Sequence, residues 1–178
     1  CTPRCAPGTD GPDEVLLLGV FRGTRLERVR WVTETGSTND DLSDLARNGA
    51  PEQVLITDLQ TSGKGRRGRV WTAPSESGLL MSVLVRGVLP ADGFWSVGAV
   101  ALAASEAIGR RTISACTLKW PNDVMLGPAT DQKKVAGVLA QHVAAAIVGG
   151  LGVNDTLPDA VPEHMAERGR TLNAHRNC

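Results

Sequence analysis

Tyrosine is absent from this chain of 178 residues, and aromatic residues of all kinds make up 3% of it. The core must therefore be aliphatic. Neither sign of charge is in excess, with 19 Lys and Arg against 19 Asp and Glu. That balance argues against a nucleic-acid-binding module, whose electrostatic footprint is a basic surplus. No apolar run reaches the ~20 residues of a membrane-spanning helix, and residues 1–13 lack the apolar stretch of a secretory signal. The four cysteines, Cys1, Cys5, Cys116 and Cys178, form no Cys-x-x-Cys pair. They read as reduced bystanders of a cytoplasmic protein, not as a zinc site or a disulfide frame. His142, His164 and His175 have no ligand spacing, and no Gly-x-Ser-x-Gly nucleophile motif occurs. The chain opens on Cys1 without a Met, as a fragment would.

Against these absences stands one dense stretch, Gly63-Lys64-Gly65-Arg66-Arg67-Gly68-Arg69-Val70-Trp71. Glycine lets a backbone approach a ligand and takes positive φ without penalty. Lys and Arg donate to phosphate and carboxylate. Such a loop suits a polyanionic small molecule, with Trp71 as a stacking plate or lid, although a solvated basic turn has the same composition. A Walker A loop is excluded, because Gly63-Lys64 is followed by Gly65 and Asp58 stands where the first glycine is required.

Length and composition, 42% hydrophobic and 21% charged, fit a single globular domain. Residues 1–30 are read as a loose N-terminal segment, in which Val15 to Val20 is a candidate strand. Leu26 to Thr33 predicts a strand. Gly36-Ser37-Thr38-Asn39 then opens a helix with Leu42, Leu45 and Ala46 on one face, Thr38 and Asp41 at capping-box spacing, and Gly49 with Pro51 at its end. Spare hydroxyls at a helix N-terminus also suit a polar ligand head. Val54 to Thr57 and Leu79 to Val85 predict strands. Val97, Val100, Ala101, Ala104 and Ile108 predict a second helix, capped at Ser96 and closed by Gly109. A strand-like segment runs to Leu118, and Pro121 stops it. Lys133 to Leu139 predicts a strand, and Ala144 to Val148 its hairpin partner, running into Gly150-x-Gly152-x-Asn154. That glycine pattern is not a dinucleotide fingerprint, since Asp155 falls at the third glycine position and no helix follows. The order predicts an α+β fold, a mixed β-sheet with helices packed on one face.

Two further groups mix charge with rigid backbone: Lys119-Trp120-Pro121-Asn122-Asp123, and Lys134 with Gly137. Asp123 and Asn122 have the chemistry to take Mg²⁺ together with phosphate oxygens. By spacing alone, Lys119 and Asp123 equally fit a surface ion pair with Trp120 in the core. In order along the chain come Ser37-Thr38-Asn39, Gln60-Thr61-Ser62-Gly63-Lys64-Gly65-Arg66-Arg67-Gly68-Arg69-x-Trp71, Lys119 to Asp123, Lys134-Val135-Ala136-Gly137-Val138-Leu139, and Gly150-x-Gly152-x-Asn154. Between Val32 and Asn154 this closely resembles the catalytic domain of biotin–protein ligases, in the biotin/lipoate ligase family.

The resemblance implies a class II synthetase-like catalytic domain over residues 31–155. It implies a biotin–[biotin carboxyl-carrier protein] ligase that joins biotin and ATP into biotinyl-5′-adenylate with Mg²⁺. Biotin would then pass to a lysine of a carboxyl-carrier protein. Neither nucleic acid nor membrane is an implied partner, and a homodimer is one option. Ser37, Thr38, Asn39 and Gln60 would hold the ureido head of biotin. Lys64, Gly65 and Arg66 would line its tail and the phosphate, Arg67 and Arg69 would act on the triphosphate and loop closure, and Trp71 would pack near the adenine. Lys119, Arg66 and Lys134 would be catalytic at the carboxylate and α-phosphate, Asp123 and Asn122 would place Mg²⁺, and Asn154 would contact the adenine pocket. Two positions depart from the family pattern: Lys64 replaces the usual arginine, and Thr156 replaces a second asparagine. Residues 156–178 are read as a tail without the usual small C-terminal β-domain, and no N-terminal helix-turn-helix of the repressor type is expected. The alternatives are a truncated biotin- or nucleotide-binding remnant without transfer activity, and a lipoate or octanoyl ligase.

Overall fold

In the computed structural model of the chain, residues 19–88 and 93–155 are described. The strands are β1 (Val29–Thr35), β2 (Gln53–Gln60), β3 (Gly78–Arg86), β4 (Cys116–Lys119), β5 (Asp123–Leu126), β6 (Lys133–Val143) and β7 (Ala146–Asn154). Among the described residues two helices of ten residues or more accompany them, α1 (Thr38–Arg47) and α2 (Gly93–Gly109). The expected strand Val15 to Val20, the tail 156–178, Cys1, Cys5, Cys178, His164 and His175 lie wholly or largely outside the described residues.

All seven strands form one mixed sheet in the order β1-β2-β3-β7-β6-β5-β4. The β1–β2 pair is parallel and every other pair is antiparallel. The α+β class with a mixed sheet is as expected. The two helices, however, divide between the faces instead of sharing one. On β7, Gly150 faces Asn39 of α1, while its neighbour Gly149 faces Val100 of α2. Successive residues of a strand point to opposite faces, so α1 and α2 cover opposite sides. The reason is legible in β3, whose run Leu-Leu-Met-Ser-Val-Leu-Val is apolar at both alternations. Such a strand needs cover on both sides.

Two apolar clusters result. Leu42 and Ala46 of α1 pack with Leu55, Leu84, Ala146 and Val148. Ala104 and Ile108 of α2 pack with Val124, Leu126, Val135, Ala136 and Val153. At the far end of α1, Arg86 donates from Nε to Ala50 O at 2.7 Å and from Nη2 to Ala46 O at 2.9 Å. It thereby satisfies carbonyls that a helix end leaves open. α2 begins at Gly93, so Ser96 lies within its first turn and is not its cap. Between β6 and β7 the register pairs Val143 with Ala146. The hairpin turn is therefore the dipeptide Ala144-Ala145, with φ of 46° and 57°.

Candidate active site

The N-terminus of α1, the cation loop and the middle of the sheet meet in one cleft on the α1 face. Ser37, Thr38, Asn39, Gln60, Lys64, Gly65, Arg66, Trp71, Asn122 and Lys134 all line it. Its floor is the backbone of β6 and β7, where glycine is required at three places. A Cβ on Gly150 would stand 2.2 Å from Asn39 Oδ1, and one on Gly152 would stand 2.5 Å from Trp71 Cε2. One on Gly137, paired with Gly152 across the strands, would meet Lys134 Nζ at 2.8 Å and Trp71 Cζ3 at 3.0 Å. The Trp71 indole and the lysine stem thus lie directly on bare sheet.

The groups at the N-terminus of α1 and the end of β2 that line the cleft, Ser37, Thr38, Asn39 and Gln60, are neutral and polar. Ser37 occupies the N-cap position, but its side chain makes no cap bond. Its buried Oγ has no partner among the described residues, which fits a ligand that offers a hydrogen-bonding atom there. The expected capping box does not form, because both partners are engaged elsewhere. Thr38 bonds Gln60 Oε1 through its N–H at 2.9 Å and its Oγ1 at 3.1 Å, and Asp41 accepts from Thr35 Oγ1 at 2.5 Å. Ser82 Oγ lies 2.7 Å from Thr38 Oγ1 and donates to Asn39 Oδ1 at 2.6 Å. Asn39 Nδ2 in turn donates to Gln141 Oε1 at 3.3 Å. Ser82 and Gln141 were not anticipated from the sequence. Ser82 had a signal, since it is the one polar residue in the apolar run of β3.

Cations line the same cleft. The loop closes on itself as a small hairpin, with Gly65 N donating to Arg69 O at 2.7 Å and Trp71 N to Gly63 O at 2.9 Å. Arg67 at its tip has φ 58° and ψ 39°, a left-handed conformation that costs a side-chain-bearing residue about 1–2 kcal/mol. Lys64 reaches back to Asp40 on α1 at 2.7 Å. Arg66 Nη1 donates to Asn122 Oδ1 at 2.8 Å. Lys134 Nζ lies 2.9 Å from Asp123 Oδ1 and 5.2 Å from the centre of the Trp71 ring, within cation–π range. A second cleft adjoins the first beyond Trp71, lined by Arg67, Arg69, Trp120, Pro121, Asn122 and Asp123 among others.

Most of the residues singled out from sequence therefore converge. Lys119 and Asn154 do not reach the wall of either cleft. Lys119 is exposed on the edge strand β4 opposite Asp123, and Asn154 ends β7 opposite Gly78. The expected Mg²⁺ site at Asn122 and Asp123 does not fit a resident ion. Asn122 Oδ1 is held by Arg66 and Asp123 Oδ1 by Lys134. A single carboxylate neutralised in this way is a poor anchor for an ion that demands six oxygens. Among the described residues no group of three His, Cys, Asp or Glu side chains assembles elsewhere.

Comparison with known proteins agrees with this geometry. The chain is 37% identical over 147 residues to the biotin–[acetyl-CoA-carboxylase] ligase of Mycobacterium tuberculosis, covering 79% of this chain and 53% of the relative. It is 30% identical to the bifunctional ligase/repressor BirA of Bacillus subtilis, covering 77% and 43% respectively. The chain thus spans about half the length of these relatives. Among solved structures, the biotin protein ligase of Aquifex aeolicus in complex with biotin and ATP superposes with a TM-score of 0.68 at 32% identity, over 83% of this chain and 60% of that one. The sequence model of the biotin/lipoate A/B protein ligase family matches residues 30–154, and on that match, with the cleft that those residues build, the chain belongs to this family.

Proposed function

We propose that this chain is the catalytic part of a biotin–protein ligase. The observation that carries the reading is the polarity of the first cleft. Neutral hydrogen-bonding groups (Ser37, Thr38, Asn39, Gln60) and cations (Lys64, Arg66, Lys134) line it together, over a floor of glycine. A molecule with a neutral polar ring system, an apolar arm and a terminal carboxylate matches this set of groups, and biotin is such a molecule. In the first step a biotin carboxylate oxygen attacks the α-phosphorus of ATP. The bond to the bridging oxygen breaks and pyrophosphate leaves with the electron pair. Arg66 and Lys134 would hold the approaching anions together, and fixed positive charge of this kind lowers such a barrier.

In the second step a neutral lysine amine of a carboxyl-carrier domain attacks the acyl carbon and AMP leaves. The second cleft, with Arg67 and Arg69 along it, would take the nucleotide, and a divalent ion would arrive as the metal–nucleotide substrate. Lys134, which lines the cleft where Lys119 does not, would take the catalytic role. The test is pyrophosphate release from Mg-ATP with and without biotin, for wild type, Arg66→Ala and Lys134→Ala. Release should require biotin and fall by about 10²–10³ in either variant. Release that lipoate or octanoate supports better than biotin would overturn the substrate, and no acid-dependent release would overturn adenylation. Transfer to a carrier domain is then scored separately, and a chain that adenylates without transferring would be the remnant.

A further inference from the structure

The turn between β4 and β5 is held from both faces of the sheet. On the α1 face, Asn122 receives Arg66, and its backbone carbonyl accepts from Val138 N at 2.8 Å. On the opposite face, the Trp120 ring lies against α2 at Gly98. A Cβ built on Gly98 would stand 3.0 Å from Trp120 Cη2 and 3.1 Å from Cζ3. Glycine is the poorest residue for a helix interior apart from proline, and Gly98 falls within the 17-residue helix α2. Its φ is not positive, so no left-handed backbone conformation calls for it. Contact with Trp120 is what it permits.

We propose that Gly98 is a positioning residue for the second cleft. Its bare backbone seats Trp120, and the seated ring fixes the Trp120-Pro121 part of the wall against which the nucleotide packs. The inference rests on reading that cleft as the nucleotide site. Trp120 is 52% exposed, so a side chain at position 98 can push the ring into solvent without unfolding the helix. The tie of Asn122 to Arg66 and Val138 stays in place, and Trp120 does not line the first cleft. The effect therefore falls on one substrate.

The experiment measures nucleotide and biotin binding by calorimetry, steady-state KM for each, and thermal unfolding. The variants are Gly98→Ala, Gly98→Leu, Trp120→Ala and the Gly98→Leu/Trp120→Ala double. Gly98→Leu should weaken nucleotide binding on the order of tenfold, the scale on which ångström displacements act. Biotin binding should change less than about threefold, and the unfolding temperature should hold or rise with improved helix propensity. Gly98→Ala should lie between, and the double variant should be no worse than Trp120→Ala, since both changes remove one contact. Unchanged nucleotide binding in Gly98→Leu, additive losses in the double, or parallel losses of both ligands tracking a fall in unfolding temperature would each overturn the proposal. Wild type that binds no nucleotide would instead overturn the reading of the cleft, and the seat with it.

Discussion

A methyl group on Gly152 would stand 2.5 Å from the indole of Trp71, closer than carbon atoms approach, so the ring must leave its place on the sheet. Gly152→Ala should cut biotin-dependent pyrophosphate release by about a hundredfold, since displacing a positioned group costs on that scale. It should cost only about 1–3 kcal/mol of stability in a denaturant titration, as overpacking does. Ser82→Ala acts differently. Ser82 is wholly buried and links Thr38 to Asn39. Its loss should destabilise by about 1–3 kcal/mol, the cost of stranding buried polar partners, and should weaken biotin binding measured by calorimetry. On the far face of the sheet, burial pushes the Asp58 carboxyl up, Trp31 Nε1 donating to it at 3.2 Å pulls it down, and Glu76 pushes it up again. The net shift is upward, so folding favours the protonated form. That contribution is full below the ordinary carboxylate pKa and lost as pH rises through the raised folded value. Asp58→Asn should therefore raise the unfolding temperature at neutral pH and flatten its dependence on pH just above the carboxylate range. At this scale the sequence was legible for Ser37, Thr38, Asn39, Gln60 and Arg66, which line one cleft together. It was not legible for Ser82 and Gln141, whose roles depend on which strand lies beside which.

Among the elements, the β6–β7 hairpin is the clearest case of a local rule broken. Two-residue turns with both φ positive favour Asn-Gly, yet here Ala144 and Ala145 take φ of 46° and 57°. Each alanine there costs about 1–2 kcal/mol. Ala144→Asn with Ala145→Gly should raise stability by roughly 1–2 kcal/mol, read from the denaturant midpoint, and leave activity unchanged, since neither residue lines either cleft. This turn is also why the hairpin was legible only in part. With no glycine or asparagine to mark it, β6 was expected to stop at Leu139, whereas it runs to Val143. The start of α1 is legible from Ser37-Thr38-Asn39, and these residues line the cleft, but the capping-box spacing misleads, since Thr38 turns to Gln60 and Ser82 instead. β1 likewise runs from Val29 to Thr35, later than its weak alternation predicts.

For the molecule as a whole, strand order divides the sheet by sequence. Residues 29–86 build β1-β2-β3, residues 116–154 build β7-β6-β5-β4, and the β3–β7 pair alone joins them. No local pattern announces that seam, because it links segments far apart in the chain. The first cleft takes its neutral polar groups and loop from the first half and Lys134 with its glycine floor from the second. A chain opened within residues 87–93 should therefore yield two fragments that are inactive alone and regain biotin-dependent pyrophosphate release when expressed together. Fragments that remain apart by size exclusion would show that the seam needs the covalent connection. The same seam sets an order of events during synthesis. β7 occupies the middle of the sheet, yet it is the last of the seven strands to emerge from a ribosome. Until it does, β3 presents an unpaired apolar edge, and such edges recruit other chains. A nascent chain stalled before β7 should therefore associate with other chains more readily than the finished protein, and slow translation through the later strands would prolong that exposure.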